Sequence, residues 1–185
     1  MQAVIPPSTV DRWAMSPELL AKVLIPYRDH CKYLKSVSIA LAPSVNGATR
    51  CVVGEGVFSI DDSCYIDSTG HFNAVEFQIC ANQLLYAMGA ECVRRDLLAA
   101  FSSMDMDGYF ERQLPNVLIT NVTSTFRKVL NPRKFRGQIQ IDRAYRMKTR
   151  AFWECSVTYS DDEDGLADGT VVVTMELGAK LAPKV

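Results

Sequence analysis

Residues 64–86 read Cys-Tyr-Ile-Asp-Ser-Thr-Gly-His-Phe-Asn-Ala-Val-Glu-Phe-Gln-Ile-Cys-Ala-Asn-Gln-Leu-Leu-Tyr. The first half is a polar loop carrying Tyr65, Asp67, Ser68, Thr69 and His71, all able to donate or transfer protons. The second half opens a run from Ala74 to about Val93 that is apolar on nearly every face, broken near its start by Glu76, Gln78, Asn82 and Gln83. A helix that is hydrophobic all round is a buried helix, and one of roughly 20 residues spans about 30 Å. The sequence therefore buries one long helix and sets a polar cluster where it begins.

Outward from this stretch, Ser16-Pro17-Glu18 opens a short helix with Ser16 as N-cap and Pro17 in the first turn, and Pro26 stops it just before Tyr27. Leu34–Leu41 alternates apolar and polar residues, Arg50–Ile60 is rich in Val, Phe and Ile, and Asn46-Gly47 between them is a hairpin signal. Beyond the long helix, Met104–Leu114 reads as a short helical or irregular segment. Val117–Val129, Phe135–Arg146, Arg150–Tyr159 and Gly169–Leu177 read as strands. Asp161–Gly165 is an acidic turn without the spacing of a calcium loop. Residues 1–14, interrupted by Pro6-Pro7, are expected to form an irregular arm on a single domain spanning 1–185. This order predicts an α+β chain: an antiparallel sheet wrapped around one long central helix, which is the hot-dog arrangement. Such a sheet leaves an edge and a face to cover, so a homo-oligomer is expected.

Composition narrows the function. The chain has 185 residues, 48% apolar and 22% charged, with a net charge of −1, which gives no footprint for nucleic acid. No apolar run is long enough to span a membrane. The six cysteines include no C-x-x-C pair, which points to free thiols, no zinc site and a cytoplasmic setting. Neither a metal nor a cofactor is expected.

Tyr65-Ile66-Asp67-Ser68-Thr69-Gly70-His71-Phe72-Asn73-Ala74-Val75-Glu76, followed by Asn82-Gln83-Leu84, resembles the signature loop and helix of the FcoT-like thioesterases. Leu24-Ile25-Pro26-Tyr27, Phe126-Arg127-Lys128 and Leu130–Phe135 extend the resemblance from about residue 17 to at least 136. The resemblance implies a hot-dog fold acting on acyl thioesters of coenzyme A or of an acyl carrier protein. It also implies a site at subunit interfaces, in a dimer or in a hexamer built as a trimer of dimers. The family's active-site tyrosines and asparagine fall on Tyr27, Tyr65 and Asn73. Some members add glycine to a (2E)-enoyl group on a carrier protein in isonitrile lipopeptide biosynthesis. The chain departs from the family pattern in a longer first hairpin and at Asp67 and Arg133, which leaves acyl chain length unspecified.

The residues themselves suggest the roles. Thioester chemistry needs donors at the carbonyl oxygen, and free N–H groups at the start of the long helix are expected to supply them beside Gly70. Tyr65 and Asn73 would add side-chain donors or hold a water. Asn73-x-x-Glu76 is equally a capping box, and the two roles are compatible. His71 is a candidate base because imidazole ordinarily titrates near neutrality; a loop-bracing role is the alternative. Gly70-His71-Phe72 is similar to the catalytic-histidine segment of hot-dog dehydratases, but Ile79 stands where those enzymes carry their carboxylate, which weakens a dehydratase reading. Candidate catalytic residues are thus Tyr27, Tyr65, His71 and Asn73, with Ser68, Gly70, Asn82 and Lys134 as substrate contacts. Lys134 belongs to a basic cluster with Arg127, Lys128, Arg133 and Arg136, suited to a phosphopantetheine phosphate or an acidic carrier. The leading expectation is thioester hydrolysis by an oriented water. The alternatives are conjugate addition of glycine to an enoyl thioester, which needs a cation near His71, and a non-catalytic acyl-binding subunit.

Overall fold

The computed structural model describes residues 11–43, 50–102 and 104–178. The expected Asn46-Gly47 turn and residues 1–10 of the arm lie outside them. Within them, β1 (Asp11–Ala14), β2 (Leu34–Pro43), β3 (Arg50–Phe58), β4 (Val117–Lys128), β5 (Phe135–Met147), β6 (Arg150–Ser160) and β7 (Leu166–Glu176) form one sheet. Its order is β1-β2-β3-β5-β6-β7-β4, with every neighbouring pair antiparallel. Three helices accompany it: α1 (Pro17–Val23), α2 (Ala74–Arg94) and α3 (Met106–Arg112). The sheet curls around α2, giving the expected α+β hot-dog fold.

Two local expectations change. Residues 11–14 are not the end of an irregular arm; they pair with Ser38–Leu41 as the edge strand β1. Trp13 ties this strand to the helix, donating from its indole nitrogen to Glu91 of α2 at 3.0 Å. The acidic turn is a scaffold: the Asp161 carboxylate accepts from the backbone N–H groups of Asn131, Glu163 and Gly165 at 2.7, 2.8 and 2.7 Å. Burial opposes ionisation of Asp161, but these donors prevail and hold its carboxyl below the usual range.

Burial of α2 explains the composition of the sheet beneath it. Cys80, Ala81, Leu84, Ala87, Met88 and Ala90 are fully enclosed. Gly54 of β3 lies so close to the helix that a Cβ there would meet the Met88 Sδ at 2.5 Å. The buried polar residues of α2 find partners: Gln83 accepts from the Leu34 N–H at 2.9 Å and donates to the Cys31 carbonyl at 2.6 Å. The rest of the sequence reading holds at the level of elements. Ser16 caps α1 by accepting from the Leu19 N–H, and Cys31, Cys64, Cys80, Cys92 and Cys155 are free thiols.

Candidate active site

The polar loop before α2 is pinned at both ends. At its start the Cys64 N–H donates to the Tyr33 hydroxyl at 2.8 Å, and that hydroxyl donates to the Asp62 carbonyl at 3.3 Å. At its end Phe72, 2% exposed, drives into an aromatic cluster. Its ring lies 4.9 Å from that of Phe135, 5.0 Å from Tyr159 and 6.3 Å from both Phe77 and Phe126. The Phe72 N–H also donates to the Leu130 carbonyl at 3.0 Å. With Phe72 buried, its neighbours His71 and Asn73 are held at the rim of the core.

Between the loop and β4 runs an open groove of about 500 Å³ lined by His71, Phe72, Asn73 and Ala74 on one side and Phe126–Val129 on the other. Asn73 is its central polar group. The Asn73 Oδ1 accepts from Val75 N–H at 3.0 Å, from Glu76 N–H at 3.2 Å and from the Tyr65 hydroxyl at 3.0 Å. Glu76 completes the capping box by accepting from the Asn73 N–H at 3.2 Å. The expectation of several free helix N–H groups is therefore corrected: two of the first-turn donors are consumed by the cap. The Asn73 Nδ2 is shielded from solvent and has no partner among the described residues. A buried amide donor in that state calls for an acceptor, and a thioester carbonyl is one. Tyr65 acts on this amide by fixing its rotation, since the phenol proton is already given to Oδ1.

His71 is exposed on the loop, and its Nδ1 lies 3.1 Å from the Thr69 carbonyl. A carbonyl only accepts, so Nδ1 is the nitrogen that donates here, which leaves Nε2 as the one facing a substrate as base. Thr69 braces the turn by donating to the His71 carbonyl at 2.9 Å. Ser68 does the same by accepting from the Gly70 N–H at 3.2 Å. Gly70 has φ of +77° with open space where a side chain would stand, a backbone position that favours glycine.

The basic residues divide. Arg127 and Lys128 line the groove with His71, while Lys134 and Arg136 both pair with Asp162 at 3.2 Å. Arg127 is held by two hydrogen bonds to Asp168, at 2.5 and 3.1 Å, and Lys128 is 3.5 Å from Asp164. All are exposed pairs, weak enough to exchange partners. Lys134, expected at the substrate, is thus placed on the acidic turn and not in the groove lining.

Two expected residues lie elsewhere. Tyr27 packs on Tyr86, ring centroids 6.3 Å apart, well down α2 from Asn73. Burial, with help from Tyr86 and Cys80, pushes its phenol well up, so it stays protonated. Asn82 accepts from Gln78 at 2.9 Å and lines, with Tyr86, Val117 and Ile119, a second cavity of about 180 Å³ between α2 and β4. Sequence reasoning gave Phe72 no role; the signal available was an aromatic flanked by two polar site candidates.

The FcoT-like thioesterase domain model matches residues 22–175. The chain is 42% identical over 122 residues to the (2E)-enoyl-ACP glycyltransferase of Streptomyces coeruleorubidus, covering 66% of this chain and 70% of that one. It is 34% identical over 165 residues to the enzyme of the same name from Mycobacterium marinum, covering 85% of each. Among solved structures, a thioesterase family protein from Silicibacter pomeroyi superposes with a TM-score of 0.46 at 14% identity, over 87% of this chain and 98% of that one. With 154 consecutive residues under one family model (175 − 22 + 1) and relatives above 30% identity along most of its length, this chain belongs to the FcoT-like thioesterase domain family.

Proposed function

We propose that this enzyme of the acyl-thioester class adds glycine across the double bond of a (2E)-enoyl thioester borne on an acyl carrier protein. One observation carries the choice: His71, Asn73, Arg127 and Lys128 line a single groove, which sets a base, a carbonyl donor and two cations together. The names of the relatives support the same reading.

In the mechanism the thioester oxygen accepts from the Asn73 Nδ2, and Lys128, loosely paired with Asp164, receives the glycine carboxylate. His71 Nε2 takes a proton from the glycine ammonium. The freed amine lone pair forms the N–Cβ bond while the alkene pair shifts toward the carbonyl, leaving an enolate stabilised by Asn73. Cα then takes a proton back from the imidazolium. No bond to sulfur breaks, and the sum is glycine plus enoyl thioester.

Hydrolysis is the second reading, favoured by the thioesterase domain that the chain matches. The same donor would stabilise a tetrahedral oxyanion, with water held by His71. Incubating saturated and (2E)-enoyl thioesters, on coenzyme A and on carrier protein, with and without glycine separates the two. A glycine-dependent mass gain on enoyl substrate alone is expected. Release of free acid without glycine would establish the hydrolase, and no turnover in any combination would leave an acyl-binding subunit.

The assembly is part of the proposal. β4 is an edge strand with no buried residue, yet it presents Leu118, Ile119, Val122 and Phe126. Because β4 also walls the groove, a second copy pairing along it would complete the site.

A further inference from the structure

We infer that Cys31 and Cys64 form an oxidation site at the foot of the loop before α2. A two-electron oxidant such as hydrogen peroxide joins them in a disulfide that loosens Tyr65 from Asn73. The inference holds for either thioester reaction, because both use the Asn73 amide.

The two cysteines come from distant parts of the chain and meet at Tyr33. Cys31 ends the short turn Asp29–Cys31, and Cys64 opens the polar loop. Their thiols share a hydrogen bond, and the Cys64 N–H donates to the Tyr33 hydroxyl at 2.8 Å. Both are half-buried, within reach of a small oxidant, whereas Cys51, Cys80, Cys92 and Cys155 are 8% exposed or less.

The surroundings divide the chemistry between them. Burial, followed by the neighbouring Cys64, pushes the Cys31 thiol up, opposed by a smaller pull from Arg28, so Cys31 is a poor first nucleophile. The Cys64 sulfur has the Cys31 thiol and the Tyr33 hydroxyl as hydrogen-bonding neighbours, two donors for a thiolate. Cys64 gives its proton to solvent, and its thiolate attacks one peroxide oxygen. The O–O bond breaks, a sulfenic acid forms, and the hydroxide released takes up a proton as water. Cys31 then loses its proton and attacks the Cys64 sulfur, expelling a second hydroxide that leaves as water. Two thiols and one peroxide become one disulfide and two waters, with two electrons passing from sulfur to oxygen.

Closing the bond moves the loop and not the helix. The Cys31 N–H donates to the Arg28 carbonyl at 2.9 Å, and its carbonyl accepts from Tyr33 N–H at 3.1 Å and from Gln83 of α2 at 2.6 Å. Cys64 lies in irregular chain that runs from residue 61 to 73. A covalent bond brings two sulfurs closer than a contact between thiols does, so Cys64 is the one drawn in. Tyr65 follows it, exposed and tied to the Asn73 Oδ1 by one hydrogen bond of 3.0 Å. A shift at Cys64 strains that contact first.

The test treats the full-length protein with a few equivalents of hydrogen peroxide and alkylates the remaining thiols. Intact mass, peptide maps made without reductant, and thioester turnover are then read. The expected result is a Cys31–Cys64 link within one chain and turnover about fivefold lower, the worth of one ordinary hydrogen bond. Dithiothreitol should reverse both. Cys31→Ser should stop at a Cys64 sulfenic acid, trapped by dimedone, while Cys64→Ser should form neither product and keep its turnover under peroxide. Amide exchange over residues 64–73 reads the same event without any turnover, and should quicken on oxidation in the wild type alone. No such link, a link between chains, or a link that changes neither turnover nor exchange would overturn the assignment. So would a loss of turnover that persists in Cys64→Ser. If no thioester turned over in any state, the proposed function would fall, and the peptide map with exchange would still decide this site.

Discussion

On the proposed mechanism Asn73 does two jobs with two ends of one amide. Its oxygen caps α2 and receives the Tyr65 hydroxyl, while its nitrogen has no partner among the described residues. The two jobs can be separated by substitution. Asn73→Asp keeps an acceptor at the cap and removes the donor, so it should hold stability within about 0.5 kcal/mol, since Asp and Asn cap about equally well. Turnover should fall about a hundredfold or more, as when one oxyanion donor is lost. Asn73→Ala should lose turnover and in addition about 1 kcal/mol of stability. Urea denaturation beside the mass assay reads both, and an active Asn73→Asp would remove the amide nitrogen from the mechanism. The sequence disclosed the capping role of Asn73 because Asn-x-x-Glu before an apolar run leaves a local trace. It could not disclose that the cap consumes two of the helix N–H groups, or that Tyr27 sits against Tyr86, since both depend on three-dimensional placement.

At the scale of elements, α2 is fixed at its far end by a buried carboxylate. Glu91 is fully enclosed and accepts from the Trp13 indole at 3.0 Å, from Arg94 at 2.9 and 3.0 Å and from Arg95 at 2.9 Å. The Arg95 guanidinium also lies 4.3 Å from the Trp13 ring, which closes the clamp over β1. Arg94 and Arg95 are 41 and 37% exposed and can hydrate once Glu91 is gone, so removing it costs the hydrogen bonds to a charged acceptor, about 2 kcal/mol. Glu91→Ala should therefore lower stability by that order and detach β1, read as loss of amide-exchange protection at residues 11–14 and 38–41. Retained protection would show that β1 holds by backbone pairing alone. The longer strands and α2 were legible from alternation and continuous apolarity, signals that local sequence carries. β1 was not legible, because a four-residue strand with a single inward side chain has no period to read; its existence depends on a partner 78 residues away.

For the whole molecule the open question is what covers β4. A twelve-residue edge strand with no buried position invites pairing with another chain. Leu118, Ile119, Val122 and Phe126 are 48, 37, 44 and 43% exposed on it, and Val129 just beyond is 81% exposed. Antiparallel pairing of two β4 strands about a two-fold axis would bring Val122, near the strand's midpoint, close to its own copy. A lysine there would set like charges against each other across the axis, while in the single subunit it would merely occupy an exposed edge. Val122→Lys should thus leave the fold intact by circular dichroism and melting temperature, yet shift the protein to monomer in sedimentation. Turnover should fall with it, because the open side of the groove, between the loop and β4, loses the second copy that would close it. A variant that stays oligomeric would move the interface elsewhere, and a monomer with full activity would mean that one subunit's groove suffices for the chemistry.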